Sequence, residues 1–274
     1  MTAEAMPYPF MLRTVFAKTI RDQRRALLWW SLGFVGTVLL YSAFWPTIRE
    51  NASQFNDYIA KLPEAVRNLI GGDYGTAQGY VQAEMFSLLL PVLLLVYAIG
   101  AGARAIAGEE ESGTLDLLLS TPIRRSRVLL DKLWAMVGAS LMLATLAWVS
   151  IVAMGRPFGL TVGLVNLAAA ALNLLLLGVV FGSIALAVGS TTGTKAMAIG
   201  VTSGLALVTF IVRTLAPSVP AIKPLRLLSP FFYYADHKPF SNGFNGGDVA
   251  VLSGIAVVAA LVALVAFDRR DLAA

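Results

Sequence analysis

Long apolar runs, separated by shorter polar or charged stretches, dominate the sequence. A helix of about 20 apolar residues spans the apolar core of a bilayer, which is roughly 30 Å thick. Six runs meet that length. They predict transmembrane helices at residues 26–45, 85–103, 133–154, 165–188, 196–215 and 249–267. The predicted fold is an all-α integral membrane protein in which residues 1–274 form one transmembrane domain.

The charged stretch before the first run is amphipathic. At 100° per residue, its apolar and basic side chains fall on opposite sides of a helix. The apolar side holds Leu12, Val15, Phe16, Thr19 and Ile20, and the basic side holds Arg13, Lys18, Arg21, Arg24 and Arg25. We therefore expect an interfacial helix over residues 10–25, with its basic side toward lipid head groups.

Two longer polar segments are expected on the outer side of the membrane. Apolar residues recur at mostly helical spacing in residues 46–82, which predicts one or two amphipathic interfacial helices that end at Gly71 and Gly72. Residues 216–248 are rich in proline and aromatic side chains. Because aromatic side chains favour the membrane interface, we expect this second segment to dip into it.

Composition and charge agree with a membrane protein. Hydrophobic residues make up 57% of the chain and charged residues 14%, with a mean hydropathy of +0.73. The net charge of +5 does not indicate a nucleic-acid partner, because the basic residues cluster beside the spans. Thirteen Lys and Arg residues fall on the inner side and seven in the outer segments, with Arg213 at an outer helix end. This bias predicts that both termini are cytosolic.

The spans carry little that predicts catalysis or ion coupling. No Asp, Glu, Lys or Arg lies in the middle of a predicted span, which argues against an ion-driven carrier and a paired-carboxylate enzyme. The chain has no cysteine, and its single histidine, His237, does not predict a metal site. The run from Gly189 to Lys195 is one residue too short for a phosphate loop and follows no strand.

Small and amide residues in the later spans predict helix contacts. Asn166 and Asn173 share one face of the fourth span, where they could line a pathway or form hydrogen bonds to a neighbouring helix. Gly178 and Gly182 in the fourth span, like Gly200 and Gly204 in the fifth, have the spacing that allows helices to approach closely.

The inner loop at residues 104–132 contains the densest charge cluster in the chain. Three glutamates open it, and Pro122 separates two short helix signals. Leu115, Leu118 and Leu119 share one face of the first of these helices. The residues alone allow two interpretations of this loop. It is either a rigid lever on which a cytosolic partner docks, or a solvated loop that only orients the spans.

This loop resembles the permease signature of type-2 ATP-binding-cassette (ABC) exporters. The matching stretch is EEESGTLDLLLSTP, from Glu109 to Pro122, followed by Arg124, Arg125 and Lys132. The layout is also similar: a basic elbow helix, six spans, an inner loop after the second span and an aromatic outer segment before the sixth.

The resemblance implies that the loop is a coupling helix docking on a separate ATPase subunit. It further implies two ATPases, which would bind ATP and Mg²⁺, and a second permease chain, identical or not; no cofactor is expected on this chain. Thr191 to Lys195 would form a second, smaller contact. The coupling residues implied are Glu109, Glu110, Glu111, Gly113, Thr114, Leu115, Leu118, Leu119, Pro122, Thr192 and Lys195.

The sequence therefore favours the permease subunit of an exporter in the cytoplasmic membrane of a bacterium or archaeon. Its apolar spans suggest a hydrophobic or amphipathic cargo, such as a drug, an antibiotic or a lipid. Membrane lipids are expected partners, and nucleic acid is not. The alternatives are a stand-alone secondary carrier, a membrane enzyme, and a non-transporting scaffold that recruits a cytosolic partner through the same loop.

Overall fold

A computed structural model describes residues 15–63, 66–67, 73–115 and 124–270. Within these ranges the chain is helical and contains no strand. The α-helices are α1 (Val15–Glu50), α2 (Ala52–Ala60), α3 (Ala77–Glu111), α4 (Arg125–Gly155), α5 (Leu164–Thr192), α6 (Lys195–Leu215), α7 (Pro230–Ala235), α8 (Pro239–Asn242) and α9 (Gly246–Arg269). Short 3-10 segments cover Arg156–Phe158 and Pro220–Leu228, and α3 contains π-helical stretches at Val81–Leu89 and Arg104–Gly108.

The six predicted spans are confirmed. Helices α1, α3, α4, α5, α6 and α9 are each long and apolar enough to cross a membrane. Each helix encloses its predicted span and extends beyond it at one end or both. The extensions are polar turns that continue the same backbone hydrogen bonding, and hydropathy alone does not mark their ends.

The separate interfacial helix predicted at residues 10–25 is not confirmed. From Val15 the described chain runs without interruption into the first span, so that α1 is one helix of 36 residues. No glycine or proline lies near residue 25 to end the first turns, and both parts of the sequence favour a helix. Residues 10–14 lie outside the described residues.

Helix α5 lies at the centre of the bundle and packs against α3, α4, α6 and α9, while α1 packs on α4. Small residues allow this close packing. A side chain at Gly102 of α3 would overlap the carbonyl oxygen of Gly182 of α5, so the two backbones touch there. Helices α1, α6 and α9 leave most of their apolar surface exposed in the single chain.

The bundle has two chemically different ends. The loop end comprises the start of α1, the end of α3, the start of α4, the turn between α5 and α6, and the end of α9. The aromatic end comprises α2, residues 156–163 and residues 216–245. Helix α2 lies in the first predicted outer segment, and Gly71 and Gly72 lie outside the described residues.

The aromatic outer segment folds back against the bundle. Phe231, Tyr234 and Phe240 are buried, and the Tyr234 hydroxyl donates a hydrogen bond to the carbonyl oxygen of Phe86 at 2.7 Å. The Ser229 hydroxyl likewise donates to the carbonyl oxygen of Thr209 at 2.8 Å. This segment is therefore held between α3, α5 and α6.

Candidate functional site

Three consecutive glutamates at the end of α3 each contact a different part of the loop end. Glu109 forms an ion pair with Lys132 of α4, whose Nζ lies 2.7 Å from Glu109 Oε1. The side chain of Lys132 is only 3% exposed, so its charge depends on this carboxylate. Thr114 Oγ1 donates a hydrogen bond to the other oxygen of Glu109, and both carboxylate oxygens are therefore occupied.

Glu110 binds the end of the last helix. Its two carboxylate oxygens accept hydrogen bonds from the Arg270 guanidinium at 2.6 Å and 3.0 Å. This bidentate geometry is the strong form of an arginine–carboxylate pair. Arg125, at the start of α4, donates to the carbonyl oxygen of Arg270 at 2.9 Å, so the same residue also joins α4 to α9.

Glu111 caps the amino terminus of α6. Its Oε1 accepts a hydrogen bond from the backbone N–H of Lys195, the first residue of that helix, at 2.8 Å. A negative charge at a helix amino terminus is favourable because of the helix dipole. In the turn before α6, the backbone N–H of Thr194 donates to the Thr192 hydroxyl at 3.3 Å, which itself donates to the Val188 carbonyl at 2.8 Å.

Two glycines with positive φ shape this end of the bundle. Gly193, at φ 66°, ends α5, and a side chain there would overlap the Arg270 guanidinium that binds Glu110. Gly113, at φ 68°, turns the chain after α3, and a side chain there would meet no atom of the described residues within 4 Å. Both conformations are easy for glycine and unfavourable for other residues.

Leu115 anchors the loop in a small apolar cluster. It is 2% exposed and belongs with Ile106, Leu129, Leu186 and Phe267, which come from four helices of the bundle. A buried leucine at this position holds the start of the loop against the helix ends. Leu118, Leu119 and Pro122 lie outside the described residues.

The structure thus brings Glu109–Leu115 together with Thr192 and Lys195, two stretches that the sequence analysis assigned to one function. Arg125 belongs to the matching motif but not to the implied coupling residues, and Arg270 belongs to neither. Arg270 follows the last span and was attributed to topology. Its partner lies 160 residues earlier, and residue spacing carries no signal for such a pair.

Asn166 and Asn173, predicted either to line a pathway or to form hydrogen bonds to a neighbouring helix, lie outside this loop-end cluster. Asn166 donates to the carbonyl oxygen of Phe240 at 2.6 Å, and Asn173 donates to that of Tyr234 at 3.1 Å. Both side chains therefore tie α5 to the aromatic outer segment. Neither lines the groove described next.

An apolar groove of about 630 Å³ opens in the side of the bundle between α1, α3 and α6. Its lining includes Trp30, Leu95, Tyr97, Ala206 and Phe210. Arg104, at the loop end of the groove, is the one charged side chain among the described residues that line it. Nowhere in the described ranges do three His, Cys, Asp or Glu side chains form a group that could hold a metal ion.

A helical bundle with six helices long and apolar enough to cross a membrane is the architecture of a multi-pass membrane protein. The model of the ABC-2 family of transporter proteins matches residues 13–272, nearly the whole chain, and the chain therefore belongs to that family. Comparison with curated proteins gives no match.

Membership of this family makes the chain the membrane subunit of an ABC transporter. It is a multi-pass membrane protein and a transport component, not a catalytic enzyme. Transport systems of this family normally work with ATPase subunits.

Proposed function

We propose that this chain is the permease subunit of an ABC exporter. ATP hydrolysis by a separate ATPase would drive a hydrophobic or amphipathic substrate, such as a drug, an antibiotic or a lipid, across the cytoplasmic membrane. The observation that carries the proposal is the three-way attachment of Glu109, Glu110 and Glu111 to α4, α9 and α6.

These attachments connect the loop to four helices of the bundle. Short, charge-assisted bonds resist separation more than neutral hydrogen bonds do. A displacement of the loop would therefore move α3, α4, α6 and α9 together instead of bending the loop alone. Because α6 and α3 also form walls of the groove, such a movement would change the width of the groove.

The loop end is the proposed cytosolic face. The carboxylates of its three glutamates form hydrogen bonds and ion pairs within the chain, and in this proposal they set the position of the loop. The apolar side chains of Leu118 and Leu119 would supply the docking contact. The proposed partners are two ATPase subunits, which bind ATP and Mg²⁺, a second permease chain and membrane lipids. Both termini would then be cytosolic.

The experiment is co-purification of the tagged permease with the ATPase subunit expressed beside it, followed by ATP hydrolysis in lipid nanodiscs. We expect the wild-type pair to co-purify. Leu118→Asp combined with Leu119→Asp should abolish association, because two carboxylates would have to be buried in an apolar contact.

A matched control exists at the opposite end of the molecule. Leu227 and Leu228 are also consecutive and are 51% and 75% exposed. Leu227→Asp combined with Leu228→Asp should leave the association intact. If no ATPase co-purifies with the wild type, or if both double variants behave alike, the docking proposal fails and a stand-alone carrier takes its place.

A further inference from the structure

Four cavities follow one another from the loop end to the aromatic end. Adjacent cavities share lining residues: Arg104 lies between the first and the second, Phe231 between the second and the third, and Arg213 between the third and the fourth. The second cavity is the apolar groove. The others are here named the loop-end pocket, the constriction and the aromatic-end pocket.

The loop-end pocket has a volume of about 290 Å³, and most of the residues that line it are polar or charged. Its charged lining consists of Lys18, Asp22, Arg104, Glu109 and Lys132. Glu109 and Lys132 neutralise each other. In the described part of the chain, neither Lys18 nor Arg104 has an ion-pair partner within 4.0 Å, and Asp22 offsets one of these two positive charges.

The pocket and the groove meet at the side chain of Arg104. This residue lies in a π-helical stretch of α3, and its guanidinium turns back toward Gly100, which lines the groove. Gln23 of the loop-end pocket also accepts a hydrogen bond at 2.9 Å from the hydroxyl of Tyr97, which lines the groove. A polar, positively charged compartment is therefore joined to an apolar one.

The constriction is much smaller, with a volume of about 40 Å³. Aromatic side chains surround it: Phe86 and Phe240 meet edge to face with ring centroids 5.0 Å apart, and Tyr234 is hydrogen-bonded to the Phe86 carbonyl. A cavity of this size admits water but no headgroup or acyl chain. The groove is thus closed toward the aromatic end in this conformation.

The aromatic-end pocket beyond it is again positively charged. Its volume is about 540 Å³, and its lining carries four permanent cations and one carboxylate. Asp236 is paired with Arg213 at 2.7 Å, and Arg226 lies 5.2 Å from the ring centroid of Phe232. The cations that line this pocket are Arg67, Arg213, Arg226 and Lys238.

We infer that the transported substrate is an amphiphile with an anionic headgroup, taken from the inner leaflet. The headgroup binds between Lys18 and Arg104, the apolar tail lies in the groove, and the cations of the aromatic-end pocket receive the headgroup after the constriction opens. This inference rests on the proposed export function. Charge complementarity decides the substrate class, since the polar compartments at both ends of the apolar groove are positive.

The first test measures lipid binding to the purified full-length chain by native mass spectrometry. Phosphatidylglycerol and phosphatidylcholine with identical acyl chains are the probes, and inorganic phosphate tests the headgroup charge alone. We expect tighter binding of phosphatidylglycerol and no retention of phosphate. Arg104→Gln should weaken phosphatidylglycerol binding about fivefold and leave phosphatidylcholine unchanged.

Two further variants test the other contributions to lipid binding: the general positive charge near the membrane surface, and the contact of the acyl tail with the groove. Arg24→Gln removes an exposed cation of α1 that lines neither compartment and should change little. Ser203→Trp places a large side chain in the groove and should weaken binding of both lipids. Equal losses of phosphatidylglycerol affinity in Arg104→Gln and Arg24→Gln would overturn the inference. A Ser203→Trp variant that binds both lipids normally but no longer associates with a second chain would also overturn it.

The second test uses the complex with its ATPase in nanodiscs. Phosphatidylglycerol should stimulate ATP hydrolysis more than phosphatidylcholine does, and Arg104→Gln should remove the difference while ATPase association persists. An ATPase that associates but shows no anionic-lipid preference would overturn the substrate class alone. Anionic-lipid binding by a chain that recruits no ATPase would instead overturn the proposed function.

Discussion

The ammonium group of Lys132 is the most deeply buried cation named in the site, and Glu109 is its ion-pair partner. Glu109→Gln leaves that charge buried without its ion-pair partner. We expect a loss of about 1–3 kcal/mol in the free energy of unfolding, seen as a lower Tm of the detergent-solubilised chain. Adding Lys132→Met should recover much of the loss, since the unpaired charge is then absent.

The neighbouring Glu111 supplies the control for this prediction. A glutamine at position 111 still offers an oxygen to the N–H of Lys195, so that Glu111→Gln loses only the charge at the helix end, on the order of 0.3–1 kcal/mol. Equal Tm shifts for the two variants would contradict the burial argument.

Gly193 and Gly113 form a second matched pair at the level of single residues. Both have φ near 67°, so alanine at either site costs about 1–2 kcal/mol of backbone strain. At Gly193 the new side chain also displaces the Arg270 guanidinium, which loses its contact with Glu110. We therefore expect Gly193→Ala to reduce ATPase coupling in the complex by more than Gly113→Ala does, because both changes add backbone strain and only the change at Gly193 also displaces the arginine.

The displaced arginine makes this prediction specific. In a background that already carries Glu110→Gln, Gly193→Ala should add only its strain. A further loss of coupling in that background would show that the Glu110–Arg270 pair is not the reason for the effect.

At the scale of whole helices, the contact between α3 and α5 depends on glycine at position 102. In Gly102→Ala the added methyl group would meet the carbonyl oxygen of Gly182, a backbone atom that cannot move without shifting α5. Overpacking of this kind costs about 1–3 kcal/mol or more. We expect a lower Tm and a smaller folded fraction by size-exclusion chromatography.

Gly204→Ala is the control for this helix contact. At position 204 on α6, no described atom lies within 4 Å of the added carbon, so the isolated chain should tolerate the change. If Gly102→Ala is as stable as Gly204→Ala, the close approach of α3 and α5 is absent in the protein.

The sequence predicts these helices well, but it does not predict where all of them end or which helices they pack against. Spans follow from hydropathy over about 20 residues, and the charges at their ends give an orientation. The separate interfacial helix predicted before the first span is not confirmed, because the amphipathic and apolar turns join without a breaking residue. The two glycine pairs, at 178 and 182 and at 200 and 204, have the same spacing. Among the described residues only the first pair packs closely against other side chains or backbone, because tertiary packing decides which face of a helix is buried.

The candidate site is also only partly predictable from the sequence. The glutamate run, Gly113 and the turn at residues 192–195 are visible as local patterns. Which carboxylate binds Lys132, Arg270 or the start of α6 depends on how four helix ends meet, and local patterns hold no such information.

For the molecule as a whole, the exposed side of α6 is the place where a second permease chain is expected. With Gly200 at zero on the helix, Gly204 lies at about +40°, and the groove-lining side chains of α6 lie between about −120° and −20°. The open glycines therefore border the groove. A helix of a second chain packed on them would add the missing wall of the groove.

This arrangement predicts that Gly200→Leu combined with Gly204→Leu separates the two permease chains without unfolding either. We expect the apparent mass in light scattering to fall by about one chain, while the Tm changes little because no atom of the described residues lies within 4 Å of either site. Gly254→Leu, on the exposed side of α9, has equally open surroundings and should leave the assembly intact. Loss of assembly in both variants would indicate a general effect of added bulk. Loss in neither would place the second chain on another face, and the groove would then open directly to lipid.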